Sequence, residues 1–242
     1  MLKILSIGNS FSQDATRYVW GIARDAGKQV KVVNLYIGGC TLERHYRNML
    51  SKLPAYDFEI NGMMGTGVKI SLRDALLSDC WDVITIQQQS LEGSRYESFV
   101  PYLGELVAYV RKHAPKAELW MHSTWGYKPE SEKLEKSGFE THDKMELAIR
   151  KNYARWARDI GACGIIPAGE AVRLANELGA PHIYRDEFHM SRGFGRLLLG
   201  LVWASTLLGV DPEENGFADL DEPVTEEEIA LARRVAARIR KS

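Results

Sequence analysis

Short apolar runs alternate along the chain with longer segments in which apolar residues recur every three or four positions, a pattern that predicts strands followed by helices. The first run, Ile4-Leu5-Ser6-Ile7, ends at Gly8, and Ala15, Val19, Ile22, Ala23 and Ala26 then mark a helix over 15–26 that Gly27 closes. A β-branched and aromatic run over 30–37 follows, so the opening reads as a βαβ unit with parallel pairing and a right-handed crossover. Gly38-Gly39-Cys40-Thr41 ends that second strand and leads into a helix through Leu50. Between 53 and 67 the pattern breaks down, and a hairpin of 56–60 with 67–70 is the reading that fits.

A short helix over 72–77 precedes a third buried strand at 81–86, which runs into Gln87-Gln88-Gln89-Ser90. A helix over 98–113 is stopped by Pro115, and Glu118-Leu119-Trp120-Met121-His122 forms a fourth strand leading to the aromatic loop 123–127. The charged segment 130–136 reads as a solvated face. Met145, Ile149, Tyr153 and Trp156 space a helix over 143–158, and Cys163-Gly164-Ile165-Ile166 supplies a fifth strand before a helix over 169–178. The segment 179–188 has no period and reads as a loop, after which Ser191 caps an apolar helix that Gly209 ends. A final helix over about 225–240 opens on a Thr225/Glu228 capping box and closes on arginines, as the helix dipole favours.

Five strands alternating with helices predict a three-layer α/β/α arrangement around a mainly parallel sheet, with ligands beyond the carboxyl ends of the strands. At 242 residues, without internal repeats or a low-complexity linker, one domain over 1–242 is the expectation, with the last helix packed on it. Thirty-one Lys and Arg against 32 Asp and Glu leave a net charge of −1, which argues against nucleic acid as a partner. Cys40, Cys80 and Cys163 are scattered, which fits neither a disulfide framework nor a zinc knuckle. The apolar stretch 197–210 is too short to cross a bilayer, so no membrane partner is expected. With no signal peptide before the first strand, the expectation is a cytoplasmic protein, or a secreted one if a leader has been removed. Oligomeric state is left open.

Several chemistry-bearing residues fall on the same sheet edge by position alone. Ser10 follows the first strand, where its hydroxyl stands beside helix N–H groups able to stabilise negative charge. Gly38 and Gly39 follow the second strand, Gln87 to Ser90 the third, and His122 ends the fourth. Asp186 and His189, three apart, follow the fifth. Read singly, these are a capped turn, a glycine turn, a polar strand end and a surface pair. Together they are the parts of nucleophilic acyl transfer: a hydroxyl, a base, a carboxylate to orient the base, and N–H donors for an oxyanion. His182, Asp186 and His189 do not have the spacing of an established metal set, and no metal or other cofactor is expected. Phosphate-binding, dinucleotide-binding and zinc-protease motifs are absent from the sequence, as is the G-x-S-x-G elbow.

Gly8-Asn9-Ser10 near the start, a glycine after the second strand, an amide block after the third and Asp186-x-x-His189 near the end resemble the four blocks of the SGNH, or GDSL-type, hydrolases. More narrowly, Ile7-Gly8-Asn9-Ser10-Phe11-Ser12 with Gln87-Gln88-Gln89-Ser90 is similar to a DUF4886-type branch associated with bacterial carbohydrate metabolism. The resemblance implies a flavodoxin-like α/β/α fold with a five-stranded sheet. It implies Ser10 as nucleophile, His189 as general base, Asp186 as its orienter, and the N–H groups of Ser10 and Gly39 as oxyanion donors. Where the family has G-x-N-D this chain has Gln87-Gln88-Gln89-Ser90, so Gln89 is the expected side-chain donor and Gln87 the next. His122, Trp125 and Tyr184 are expected to line the substrate pocket.

The activity expected is that of a carboxylic ester hydrolase acting through an acyl-enzyme. Its substrate would be a small-molecule or carbohydrate ester with a small acyl group, acetyl first. The alternatives are a lipase or thioesterase acting on longer acyl chains, and a non-catalytic carbohydrate-binding protein on the same fold.

Overall fold

The computed structural model describes residues 1–241. Its strands are β1 (Leu2–Gly8), β2 (Val30–Tyr36), β3 (Tyr56–Ile60), β4 (Lys69–Ile70), β5 (Val83–Ile86), β6 (Glu118–His122) and β7 (Gly164–Ile166). They form one sheet in the order β4-β3-β2-β1-β5-β6-β7. The five strands anticipated from the sequence pair parallel throughout, and their order reverses between β1 and β5. The sheet has seven strands rather than five because the hairpin β3–β4 adds antiparallel to the edge of β2. The reversal between β1 and β5 opens a crevice at the strands' carboxyl ends, where sheets of this order bind ligands.

The helices are α1 (Ser10–Thr16), α2 (Val19–Asp25), α3 (Leu42–Ser51), α4 (Leu72–Leu77), α5 (Tyr102–His113), α6 (Glu132–Lys136), α7 (His142–Asp159), α8 (Ala168–Glu177), α9 (Phe194–Leu208) and α10 (Glu226–Lys241). Alternation along each strand splits the core in two. Ile4, Val32 and Val83 face α1, α2, α8, α9 and α10, while Leu5, Ile7, Val33, Leu35, Ile84 and Ile86 face α3, α4, α5 and α7. Helix α9 is apolar on almost every side and twelve of its residues are buried, as a helix must be when other helices cover its outer face.

Three helices differ from the sequence pattern. The helix expected over 15–26 is two helices, and the first begins at Ser10 because Asn9 caps it. The break follows Thr16, whose hydroxyl bonds back to the Ser12 carbonyl at 2.8 Å, the kind of competition that weakens a helix from within. The helix expected over 98–113 starts only at Tyr102, after a 3₁₀ turn and a cis Val100–Pro101 bond. The charged stretch 130–136 carries α6, a short helix with Leu134 buried beneath it.

What matters most for the site is how the ends of the chain are joined. Asp14 on α1 is fully buried, and its carboxylate accepts hydrogen bonds from Arg185 at 2.8 and 2.9 Å, Arg196 Nε at 2.9 Å and the Met190 N–H at 3.2 Å. Arg196 also reaches Asp221 at 2.9 Å, and Asp221 in turn pairs with Arg17. One carboxylate therefore ties α1 to both ends of the 185–190 segment and to α9. Asp14→Ala would leave two guanidiniums without their buried partner, and is expected to cost about 3–5 kcal/mol in urea unfolding. A loss within the range of an exposed pair, under about 1 kcal/mol, would show that this carboxylate does not hold the segments together.

Candidate active site

The corner after β1 is built by close approach. A Cβ on Gly8 would lie 2.2 Å from Ser12 Oγ, so only glycine lets α1 fold back this tightly. Asn9 Oδ1 accepts the Phe11 N–H at 2.9 Å, and Ser12 Oγ accepts the Asn9 N–H at 3.1 Å. These bonds cap the helix reciprocally. The Ser12 hydroxyl then donates to Asn34 Oδ1 at 2.7 Å, anchoring the first turn to β2. Ser10, between the cap and its partner, is left half-buried with its hydroxyl free to meet another side chain.

That side chain is His189. Its Nε2 lies 2.9 Å from Ser10 Oγ, and its Nδ1 lies 2.7 Å from Asp186 Oδ2. A carboxylate only accepts, so Nδ1 carries the proton and Nε2 is left to accept from the serine hydroxyl. The second Asp186 oxygen accepts the backbone N–H groups of His189 at 2.7 Å and Phe188 at 2.9 Å. Partial burial pushes the Asp186 carboxyl up, but those two N–H groups and the imidazole outweigh it and hold the carboxyl below its ordinary value. Ser10 and His189 open on a cavity of about 250 Å³, whose lining includes Gly38, Gly39, Gln89, Phe188 and Lys133.

The family described as "Domain of unknown function (DUF4886)" matches residues 3–239. The chain belongs to the DUF4886 family. Its fold overlays that of a DUF4886 family protein from Bacteroides uniformis with a TM-score of 0.90 at 30% identity, over 98% of this chain and 93% of that one. A protein from Slackia heliotrinireducens assigned to the SGNH hydrolases overlays with a TM-score of 0.62 at 25% identity, over 85% and 98% of the two chains. A GDSL-like lipase from Parabacteroides merdae shares the fold at 14% identity and a TM-score of 0.56, over 84% and 94%. No curated protein matches the chain. The fold is thus of the SGNH and GDSL type.

Within this DUF4886 fold, five of the residues expected at the site, Ser10, Asp186, His189, Gly39 and Gln89, gather around the cavity or hydrogen-bond into it. Gly39 has φ 61 and a built Cβ would touch nothing within 4 Å, so its left-handed backbone, not crowding, calls for glycine. Gln89 Nε2 lies 2.9 Å from Ser90 Oγ, which leaves the second amide hydrogen uncommitted by that bond.

Gln87 does not fit the donor role expected of it. It is buried, and its amide nitrogen donates to Asn9 Oδ1 at 2.8 Å while its oxygen accepts from His122 Nδ1 at 2.6 Å. Nor do His122, Trp125 and Tyr184 line the cavity. His122 is fully buried beneath Gln87. Trp125 is stacked on Phe11 with centroids 4.0 Å apart, and its indole N–H donates to the Phe188 carbonyl at 2.8 Å. Tyr184 takes the Asn176 amide at 2.8 Å on the side of α8. Each aromatic found its partners inside the protein, and Phe11, Tyr36 and Phe188 line the cavity in their place.

Sequence reasoning missed the relay that runs beneath the serine. His122 donates to Gln87, Gln87 to Asn9 Oδ1, and Asn9 Nδ2 to the Cys40 carbonyl at 3.0 Å, beside Gly39. The helix cap that places Ser10 and the loop that carries Gly39 are thereby fixed to one another. The signal was a buried strand ending in polar residues on both β5 and β6. Burial pushes the Cys40 thiol up to about 12, so this cysteine is no nucleophile. His182 lies apart from Asp186 and His189 and meets Glu228 at 2.9 Å. Among the described residues no cluster of His, Cys, Asp or Glu is arranged to hold a metal ion, and no helix is long and apolar enough to cross a membrane.

Burial pushes the His122 imidazole down to about 3, against 6.5 for a free histidine. Between those values the unfolded chain binds a proton that the folded chain refuses, so stability falls as pH falls. In His122→Asn this contribution disappears. The plot of unfolding free energy against pH for the wild type is expected to be steeper than that of the variant by about 1.4 kcal/mol per pH unit between about pH 6 and 4. Superimposable slopes would mean that the folded protein accepts a proton at this site.

Proposed function

We propose that the protein is a serine esterase working through Ser10, His189 and Asp186. The observation that carries this reading is the single imidazole bridging a serine hydroxyl at 2.9 Å and a carboxylate at 2.7 Å at the mouth of a cavity. The SGNH assignment of the Slackia heliotrinireducens relative supports the reaction class.

Ser10 Oγ attacks the ester carbonyl while His189 Nε2 takes its proton, and Asp186 stabilises the imidazolium through Nδ1–H. The carbonyl oxygen becomes an oxyanion, met by the backbone N–H groups of Ser10 and Gly39 and by the Gln89 amide. His189 Nε2–H then protonates the departing alkoxide, leaving the acyl group on Ser10. Water enters, His189 takes a proton from it, and attack on the acyl-enzyme releases the acid and restores the hydroxyl.

A cavity of about 250 Å³ sits below the usual range for drug-sized ligands, which favours a short acyl group such as acetyl over a lipid chain. The alcohol portion is read as a carbohydrate, because Tyr36 and Phe188 offer aromatic faces at the rim and the cavity opens into wider polar grooves.

Wild-type protein is expected to hydrolyse p-nitrophenyl acetate and to take a fluorophosphonate label on Ser10, located by peptide mass mapping. Ser10→Ala should lose both, and equal rates for the two proteins would defeat the assignment. Asp186→Asn should fold normally and lower kcat by up to about four orders of magnitude, since the imidazole is then held in the wrong tautomer. An undiminished kcat would remove Asp186 from the mechanism.

A further inference from the structure

The active-site cavity continues into a groove on each flank. One, of about 530 Å³, shares Gly39 and Gln89 with it and carries Glu43 and Glu92. The other, of about 350 Å³, shares Lys133 and carries Tyr127. The two flanks differ in how their charged groups are paired. Glu43 is paired with Arg47 at 2.5 Å and Glu92 with Arg95 at 3.0 Å, so that flank presents only satisfied carboxylates. On the other flank, the Lys133 ammonium lies 4.4 Å from the Phe188 ring centroid and 5.3 Å from that of Tyr127. No carboxylate pairs with it among the described residues. Of the two acids lining that groove, Glu132 pairs with Lys136, and Glu187 turns Oε1 to the Lys133 backbone N–H at 2.8 Å rather than to the ammonium.

We propose that Lys133 reads a negative charge on the substrate, and that this charge belongs to the alcohol portion of the ester. The inference rests on the esterase reading above and names the substrate class within it. The side follows from the chemistry. His189 protonates the departing alkoxide, so the alcohol lies on the imidazole's side of the cavity. Phe188 packs against His189 with centroids 4.0 Å apart, and Lys133 sits on that same Phe188. The oxyanion donors stand toward the opposite groove. An ammonium held between two aromatic rings and left without a counter-ion at the edge of a cleft favours a carboxylate, or an equivalent anion, arriving with the substrate. An acylated sugar acid or a phosphorylated sugar would carry such a group.

The test compares kcat/KM for 4-acetoxybenzoate with that for its neutral amide, 4-acetoxybenzamide, in the wild type, Lys133→Met and Lys133→Arg. The selectivity for the anion is expected to fall about tenfold in Lys133→Met, to persist in Lys133→Arg, and to weaken in high salt in the wild type. A mono-4-nitrophenyl glutarate, with its charge on the acyl side, should show no comparable dependence on Lys133. Selectivity that is the same in wild type and Lys133→Met overturns the proposal, as does a Lys133 effect confined to the glutarate. Hydrolysis of neither acetoxy ester, together with failure on p-nitrophenyl acetate, would instead count against the esterase itself.

Discussion

One buried carboxylate joins the two segments that meet at the candidate site. Ser10 and His189 stand 179 positions apart, and their 2.9 Å approach depends on α1 and the 185–190 segment being held in one relative position. Asp14, one helical turn beyond Ser10, accepts hydrogen bonds from Arg185 and from the Met190 N–H, so its two oxygens bracket the segment on which Asp186 and His189 lie. Assembling such a cluster in a dry interior gives little net stability, because desolvating three charges offsets most of their attraction. Its value is geometric. Any other docking of α1 would strand charges away from water, so the alternatives are far costlier than the native arrangement is favourable.

The same logic operates on the face of α1 that meets the sheet. Glu59, Asn34, Ser6 and Thr85 are adjacent in register across β3, β2, β1 and β5, and all are buried. Asn34 donates to Glu59 at 2.7 Å, and Gln13 to the other Glu59 oxygen at 2.5 Å. Burial pushes the Glu59 carboxyl up despite these amides. Ser12 meets the Asn34 side chain from above, so Ser12, Gln13 and Asp14 present three successive polar groups to fixed partners below the surface. A helix turned by one residue would satisfy none of them, and each unmade bond in such a place costs more than a made one contributes. The position of Ser10 is a by-product of that accounting.

What could be read from the sequence and what could not divides along the range of the interactions. Strand and helix periodicity is local, and β1, β2, β5, β6 and β7 all stand where apolar runs place them. The β3–β4 hairpin was legible where the longer pattern breaks down, but its place on the edge of β2 was not, since an edge strand buries one face and its partner is two residues long. Ser10, Gly39, Gln89, Asp186 and His189 were legible because strand ends in a parallel sheet converge on one edge. Gln87, His122, Trp125 and Tyr184 were misplaced for the complementary reason: a polar or aromatic residue at a strand end either faces the cavity or turns inward, and the choice lies with residues far away in the chain. Asn9 and the Phe188 carbonyl, which claimed two of them, were 78 and 63 positions distant. Asp14 and Lys133 gave no signal, because a charge in a helix reads as solvated until its neighbours are known.

Set together, the buried polar groups beneath the serine divide into kinds suited to different tasks. The relay from His122 through Gln87 and Asn9 to the Cys40 carbonyl contains only neutral dipoles, since burial keeps His122 from charging. The carboxyl groups stand to the sides, in the Asp14 cluster, in Asp186 and in Glu59, which reaches the cap only through Asn34 and Ser12. An oxyanion site gains most from dipoles that are already oriented and cannot be redirected by a nearby titration. A protonatable base directly under the helix cap would swing the Asn9 amide whenever it changed state, and with it the loop that carries Gly39. With a neutral foundation, the charge that changes during the proposed reaction is confined to His189, which is held by the one carboxylate built to receive it.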